Sequence, residues 1–130
     1  MAKFDLIGLG NALVDSEFHV TDSFLKKKGF EKGTMHLVDS DEQTNLLNSL
    51  EKEYGKPSLA CGGSATNTIF AASILGSSCS YICKVGNDKN GNFYLDDLSD
   101  AGVNIDHSVM LDSNINSGTC TVMVSPDAER

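Results

Sequence analysis

An amide and a carboxylate four residues apart, Asn11 and Asp15, follow the first apolar segment of the chain. That segment, Phe4 to Leu9, is typical of a buried strand that ends in a turn. In open α/β sheets, ligands bind beyond the carboxyl ends of the strands. A carboxylate and an amide placed there could grip vicinal hydroxyl groups. The alternative is that Asn11 only forms the turn and Asp15 is a solvated charge.

Glycine pairs raise two further possibilities for ligand binding. The Gly-x-Gly sequence that ends at Gly10 would need a third glycine at position 13 to form a dinucleotide-binding motif, but that position is Leu13. Gly62 and Gly63 precede a helix candidate, and Asn67 lies one turn into it. Adjacent glycines at a helix start allow close backbone approach to a ligand and leave N–H groups free. The same glycines could equally serve only a tight strand-to-helix turn.

The remaining polar candidates are interpreted as structural. Asp88 precedes a segment with Gly91 and Leu98 that ends at Gly102, which predicts a helix with Asp88 as its N-cap rather than a catalytic carboxylate. The histidines have no matched carboxylate or cysteine nearby in sequence, and we interpret them as surface or strand residues: His19, His36 and His107.

The elements that must position these residues alternate between strand and helix candidates. We expect helices at Asp22–Lys28 with Thr21 or Asp22 as the cap, after a Ser40 and Gln43 capping box, from Ser64 to Leu75, and after Asp88. We expect strands at Phe4–Leu9, Val14–Val20, 34–38, Ser80–Val85, Ile105–Leu111 and Thr119–Val124. The segment from Ser64 is apolar nearly all round, which predicts a deeply buried helix. This alternation favours an α/β fold with a largely parallel sheet.

Composition narrows the classes of partner. The chain has 130 residues, 40% of them hydrophobic, and a net charge of −8 that repels nucleic acid and anionic lipid. The sequence has no apolar run of roughly 20 residues, and Met1 to Gly8 lack the apolar region of a signal peptide, so we expect no export. The four cysteines lack zinc spacing, and we expect reduced, mostly buried thiols in a cytoplasmic protein: Cys61, Cys79, Cys83 and Cys120.

Together these segments resemble the ribokinase family, the PfkB-type carbohydrate and nucleoside kinases. The resemblance covers almost the whole chain and depends on three motifs in order: Gly10-Asn11-x-x-x-Asp15, Gly62-Gly63-Ser64-x-x-Asn67, and Val85-Gly86-Asn87-Asp88-x-x-Gly91. The likeness is greatest to adenosine kinases and their bacterial relatives, through Lys32-Gly33-Thr-Met-His-Leu-Val and Ser117-Gly118-Thr119-Cys120. It implies a ribokinase-like, mostly parallel sheet flanked by helices, with a small β lid whose pieces lie at about 12–20, 33–38 and 57–61.

The resemblance also implies roles for the polar residues of these motifs. Asn11 and Asp15 match the pair that binds the ribose hydroxyls in such kinases. Gly62 and Gly63 match a close backbone contact with the substrate, and Asn67 matches another sugar contact. These five residues are therefore expected to form the substrate-binding site, called the substrate grip below.

Three further positions match the family around its lid and nucleoside pocket. Met35 and Leu37 fall on a strand of the lid, where alternation puts both side chains on one face. Cys120 matches a residue that lines the nucleoside pocket. Arg130 falls within one residue of an arginine that such kinases place near the phosphates, so its role carries over only weakly.

The implied activity is transfer of the γ-phosphoryl group of ATP, with Mg²⁺, to a primary hydroxyl. Such a reaction also needs a base and N–H groups for the developing charge. The family carries both in a late Gly-Ala-Gly-Asp segment that these 130 residues lack. We therefore expect residues 1–130 to be the N-terminal substrate-binding part, without the C-terminal ATP-binding and catalytic part, and to be inactive and poorly stable alone.

Several alternatives stay open. The chain could be a non-catalytic sugar-binding or nucleoside-binding module, or the kinase could act on a free sugar such as ribose or fructose, because the same side chains would grip any vicinal diol. Both a monomer and a homodimer formed through the lid are compatible with the sequence.

Overall fold

The computed structural model describes residues 3–106 and 110–127. The chain forms two compact units, each built from segments that are distant in sequence. The first unit comprises Met1–Val14 and Ala60–Cys120, and the second comprises Asp15–Leu59 and Thr121–Arg130.

Strands and helices alternate along most of the chain. The strands are β1 (Leu6–Leu9), β2 (Leu13–His19), β3 (Ser58–Gly62), β4 (Cys79–Ile82), β5 (Val85–Gly86), β6 (Leu111–Asp112) and β7 (Gly118–Val124). The helices are α1 (Asp22–Lys28), α2 (Ser40–Tyr54), α3 (Ser64–Ile74) and α4 (Lys89–Asp100). Within the described ranges, no helix combines the length and the apolar character that crossing a bilayer requires.

Parallel pairing of strands confirms the predicted α/β class. Strand β1 pairs in parallel with β4, from Leu6 opposite Cys79 to Leu9 opposite Ile82. Strand β5 pairs in parallel with β6, and a third sheet has the order β3-β2-β7. Because β1 and β4 run in the same direction, their carboxyl ends meet at one edge of the first unit.

The core of the first unit forms where α3 packs on β1 and β4 and where α4 packs beside β5. Its fully buried side chains include Tyr81 on β4 and Tyr94, Leu95 and Leu98 on α4. The three residues from α4 lie on one face because their spacing follows the helical period. Asp88 caps α4, as predicted, by accepting a hydrogen bond from the Gly91 N–H.

The second unit has a separate core of aromatic and aliphatic side chains. Phe18, Phe24 and Leu50 are buried there, and the rings of Phe24 and Tyr54 meet edge to face with centroids 5.4 Å apart. Of the two predicted caps of α1, Thr21 is the one that accepts a hydrogen bond from the Phe24 N–H. The predicted bounds of α1 are confirmed.

The predicted capping box of α2 is wrong by one residue. The N-cap is Asp39, whose side chain accepts hydrogen bonds from the N–H groups of Asp41 and Glu42. The Glu42 carboxylate in turn accepts one from the Asp39 N–H. The box is therefore Asp39 and Glu42 rather than Ser40 and Gln43, because the extended backbone of Asp39 leaves Ser40 inside the first turn.

Three other expectations need correction. Residues 34–38 form no strand, because no described strand pairs with them and they are exposed to solvent. Helix α3 is not deeply buried along its length: the Ile74 side chain at its end is 65% exposed. Of the strand expected at Ile105–Leu111, the described residues show only β6, which begins at Leu111. Residues 107–109 lie outside the described residues.

Candidate functional site

A cavity of about 640 Å³ opens at the carboxyl ends of β1 and β4. All of its lining residues belong to the first unit, and most of them come from the turns that follow these two strands. They are Leu9, Gly10, Asn11, Ala12, Leu13, Ile82, Cys83, Lys84 and Gly118. The edge of a parallel pair is where open α/β folds bind their ligands.

The turn after β1 packs too closely for any side chain at Gly10. Its N–H donates to the Ile82 carbonyl oxygen at 3.3 Å, which holds the turn against the end of β4. A Cβ atom at Gly10 would lie 2.7 Å from the Tyr81 hydroxyl and 2.9 Å from the Ala65 Cβ. The glycine therefore allows Asn11, the next residue, to lie at the cavity wall.

The second glycine pair lies beside the same turn. Gly63 has a φ of 106°, and a Cβ there would lie 2.9 Å from the Asn11 carbonyl oxygen. Gly63 is also the N-cap of α3, which has no side-chain cap, so first-turn N–H groups remain available to a polar ligand. The two glycine motifs thus meet at Asn11.

A network of buried hydroxyl groups supports the turn at Gly62 and Gly63. The side chains of Thr66, Tyr81 and Tyr94 are fully buried. The Thr66 hydroxyl hydrogen-bonds both the Tyr81 hydroxyl, at 2.8 Å, and the Tyr94 hydroxyl. Tyr94 donates to the Gly62 carbonyl oxygen at 3.2 Å, and burial raises the pKa of Tyr94 above its usual range. The network therefore ties α3, β4 and α4 to the Gly62 carbonyl.

Four predicted residues of the first unit lie outside the set that lines the cavity: Gly62, Gly63, Asn67 and Cys120. Asn67 is exposed on α3, and its backbone N–H donates to the Gly63 carbonyl oxygen at 2.9 Å. Cys120 is exposed on β7. Their predicted contacts with a nucleoside remain predictions.

The remaining predicted residues belong to the second unit or lie outside the described residues. Asp15 is half-buried on β2. Met35 and Leu37, expected on a lid strand, lie in the segment without regular structure and are 86% and 92% exposed. Arg130 lies outside the described residues, so its predicted place near phosphates stays a prediction.

Sequence analysis missed four residues that line the cavity: Ile82, Cys83, Lys84 and Gly118. Cys83 is buried, and this burial raises the pKa of its thiol to about 11. Lys84 lies 3.7 Å from a carboxylate oxygen of Asp112. The first three are the last residue of β4 and the two residues after it, and a parallel pairing of the first and fourth strands would have indicated them.

For Asp88 the structure shows more contacts than the sequence predicted. Besides the Gly91 N–H, its carboxylate accepts two hydrogen bonds from Ser117. Burial opposes ionisation of this carboxyl group, but the bonds from Ser117 and Gly91 hold its pKa below the usual range. Within residues 3–106 and 110–127, no three acidic, histidine or cysteine side chains come together as metal ligands.

Comparisons of the chain with known proteins agree on one family. The profile of the pfkB family carbohydrate kinases matches residues 34–130. The chain is 30% identical over 122 residues to adenosine kinase 2 of Arabidopsis thaliana, which covers 92% of this chain and 34% of that protein. It is 37% identical over 68 residues to a ribokinase of Dictyostelium discoideum, covering 52% of this chain and 21% of that protein.

A solved structure supports the same fold. The adenosine kinase from Sinorhizobium meliloti superposes with a TM-score of 0.79 and 33% sequence identity. The match covers 99% of this chain and 38% of that one. The chain therefore spans about a third of the length of the relatives that it matches.

Proposed function

This chain belongs to the pfkB family of carbohydrate kinases, and we propose that it supplies the substrate grip for ATP-dependent phosphoryl transfer to a primary hydroxyl. The substrate is a nucleoside or a sugar, with adenosine favoured. One observation carries the proposal: Asn11 lines the cavity where β1 and β4 end, and its carbonyl oxygen packs against Gly63 at the start of α3. This contact supports a substrate site that uses the Asn11 amide, with the first N–H groups of α3 close in the chain to Gly63.

The chemical contribution of these residues is positioning. Bound MgATP supplies the phosphoryl group, and phosphoryl transfer depends on alignment of the acceptor oxygen more than on covalent help from the protein. Asn11 has both a donor and an acceptor for sugar hydroxyls. We assign no ATP or Mg²⁺ ligand to the described residues, and we place the base that takes the hydroxyl proton outside this chain.

Adenosine is favoured because of the cavity wall and the similarity pattern. Leu9, Leu13 and Ile82 provide apolar surface beside Asn11, which suits a flat base attached to a polar sugar. Similarity to the Arabidopsis adenosine kinase extends over 92% of the chain, whereas similarity to the ribokinase extends over 52%. A free sugar such as ribose or fructose is the second candidate substrate.

Calorimetric titration of the 130-residue chain with adenosine, ribose and fructose tests the proposed substrate binding. We expect adenosine to bind more tightly than either sugar. Asn11→Ala should weaken adenosine binding by about tenfold or more, because the bound hydroxyl groups lose their partner. Asn48→Ala, on the exposed surface of α2, is the matched control and should leave binding unchanged. Tighter binding of free sugar, or an unaffected Asn11→Ala variant, would contradict the proposal.

A kinase assay distinguishes substrate binding from the catalytic step. With MgATP and adenosine, we expect no AMP from the 130-residue chain, and measurable AMP would show that the base lies within these residues. The alternative function is a non-catalytic nucleoside-binding module. An open reading frame that continues past the Arg130 codon into a Gly-Ala-Gly-Asp segment would favour the kinase, whereas an immediate stop codon would favour the binding module.

A further inference from the structure

The carboxylate of Asp88 joins the start of α4 to the segment that leads into β7. We propose that Asp88 is a positioning residue for the cavity, acting through Ser117 to hold Gly118 in the cavity wall. The inference rests on the proposed function only in that it names the same cavity as the substrate site. It assigns to Asp88 a second role besides the helix cap.

Both oxygens of the Asp88 carboxylate are used. Oδ1 accepts hydrogen bonds from the Gly91 N–H and the Ser117 hydroxyl, each at 2.8 Å, and Oδ2 accepts one from the Ser117 N–H at 2.8 Å. The Ser117 Oγ atom also accepts a hydrogen bond from the Gly86 N–H at 3.0 Å. Ser117 is therefore held through its backbone and its side chain at once.

An ordinary helix cap does not need this arrangement. At the start of α2, the Asp39 carboxylate accepts only from N–H groups of its own first turn. Two of the hydrogen bonds that the Asp88 carboxylate accepts come from a residue 29 positions away. The Asp88 carboxylate thus makes a tertiary contact as well as a local one.

Close packing of glycines leaves little freedom around Ser117. A Cβ atom on Gly91 would lie 2.0 Å from the Gly86 carbonyl oxygen and 2.7 Å from the Ser117 Oγ. A Cβ atom on Gly86 would lie 2.5 Å from the Ile115 carbonyl oxygen. These separations are too short for any side chain, so β5, α4 and the 115–117 segment meet backbone to backbone.

Gly118 connects this contact to the cavity. It directly follows Ser117, lines the cavity, and packs so closely on the turn after β1 that a Cβ there would lie 2.9 Å from the Ala12 carbonyl oxygen. The same Cβ would lie 2.9 Å from the Leu13 Cδ2 atom. Holding Ser117 therefore sets how closely Gly118 approaches the residues that follow Asn11.

Asp88→Asn separates the two roles of the side chain. The amide oxygen of asparagine can still accept from the Gly91 N–H, whereas its NH₂ group would meet the Ser117 N–H, donor against donor. We expect about tenfold weaker adenosine binding in calorimetric titration. Asp39→Asn, the equivalent change at the cap of α2, should leave the affinity within about twofold.

Ser117→Ala tests the same contact without touching the cap, which covers the case in which Asp88→Asn does not fold. It removes the hydroxyl that bonds Asp88 and Gly86, and we expect it to weaken adenosine binding about fivefold. The double variant should bind no more weakly than Asp88→Asn alone, because both changes break one network. Additive losses, or wild-type affinity in both single variants, would overturn the inference.

Amide NMR spectra keep this test independent of the proposed substrate. Asp88→Asn and Ser117→Ala should both shift the Gly118 and Leu13 amide signals, whereas Asp39→Asn should not. If the unmodified chain binds no adenosine but these signals shift, the proposed function fails and the positioning role stands. If the signals do not shift, the positioning role fails, whatever the chain binds.

Discussion

Removal of the Tyr94 hydroxyl group tests whether the buried network supports the Gly62 turn. In Tyr94→Phe the ring and its packing remain, but the Gly62 carbonyl oxygen and the Thr66 hydroxyl each lose a partner in a fully buried place. A hydrogen bond lost in this way costs about 1 kcal/mol, so the two bonds together cost about 2 kcal/mol.

The expected shift in melting temperature follows from the chain length. An unfolding entropy of about 2.1 cal/mol/K per residue corresponds to about 0.27 kcal/mol/K for a chain of this size. A loss of about 2 kcal/mol should therefore lower Tm by about 7 °C. Thermal unfolding followed by far-UV circular dichroism measures this difference directly.

Tyr54→Phe is the matched control for this measurement. Tyr54 is only half-buried, its hydroxyl hydrogen-bonds the exposed Thr21, and its edge-to-face contact with Phe24 does not need the hydroxyl. Its loss should cost no more than about 0.5 kcal/mol, or about 2 °C. If Tyr94→Phe shifted Tm by less than about 2 °C, or by no more than the control, the argument that the network supports the turn would be refuted.

Two further predictions concern titrating groups. At pH 8, a thiol-specific reagent should modify exposed Cys120 well before Cys83, because burial raises the pKa of Cys83 to about 11 and leaves its thiol protonated. Mass spectrometry measures the two modification rates, and equal rates would contradict this prediction. Lys32 lies 2.8 Å from both Asp22 and Asp127, and this contact lowers the Asp127 pKa to about 2. The ion pair should therefore stabilise the protein above about pH 4 and weaken as the pH falls towards 2. Carboxyl NMR titration should show the Asp127 pKa rising in Lys32→Met, and an unchanged value would contradict the assignment.

Features that depend on neighbouring residues could be predicted from the sequence. The Thr21 cap of α1, the Asp88 cap of α4 and the parallel α/β class are all confirmed. The α2 cap was wrong by one position because Asp39 and Ser40 are both good capping residues, and only the backbone angles distinguish them. The expected strand at 34–38 failed because a strand needs a pairing partner, which local composition does not specify.

The candidate site, like the fold, could be predicted only in part from the sequence. Residue types and spacing by themselves predicted that Asn11, Gly62 and Gly63 could contact a ligand, because an amide after a strand and paired glycines before a helix suit that role, but they left a purely structural role open. Only the tertiary structure decided that Gly63 meets the Asn11 carbonyl and that β4 supplies a cavity wall. These contacts join segments some 50 to 70 residues apart, and strand pairing brings them together through long-range packing that no local pattern encodes.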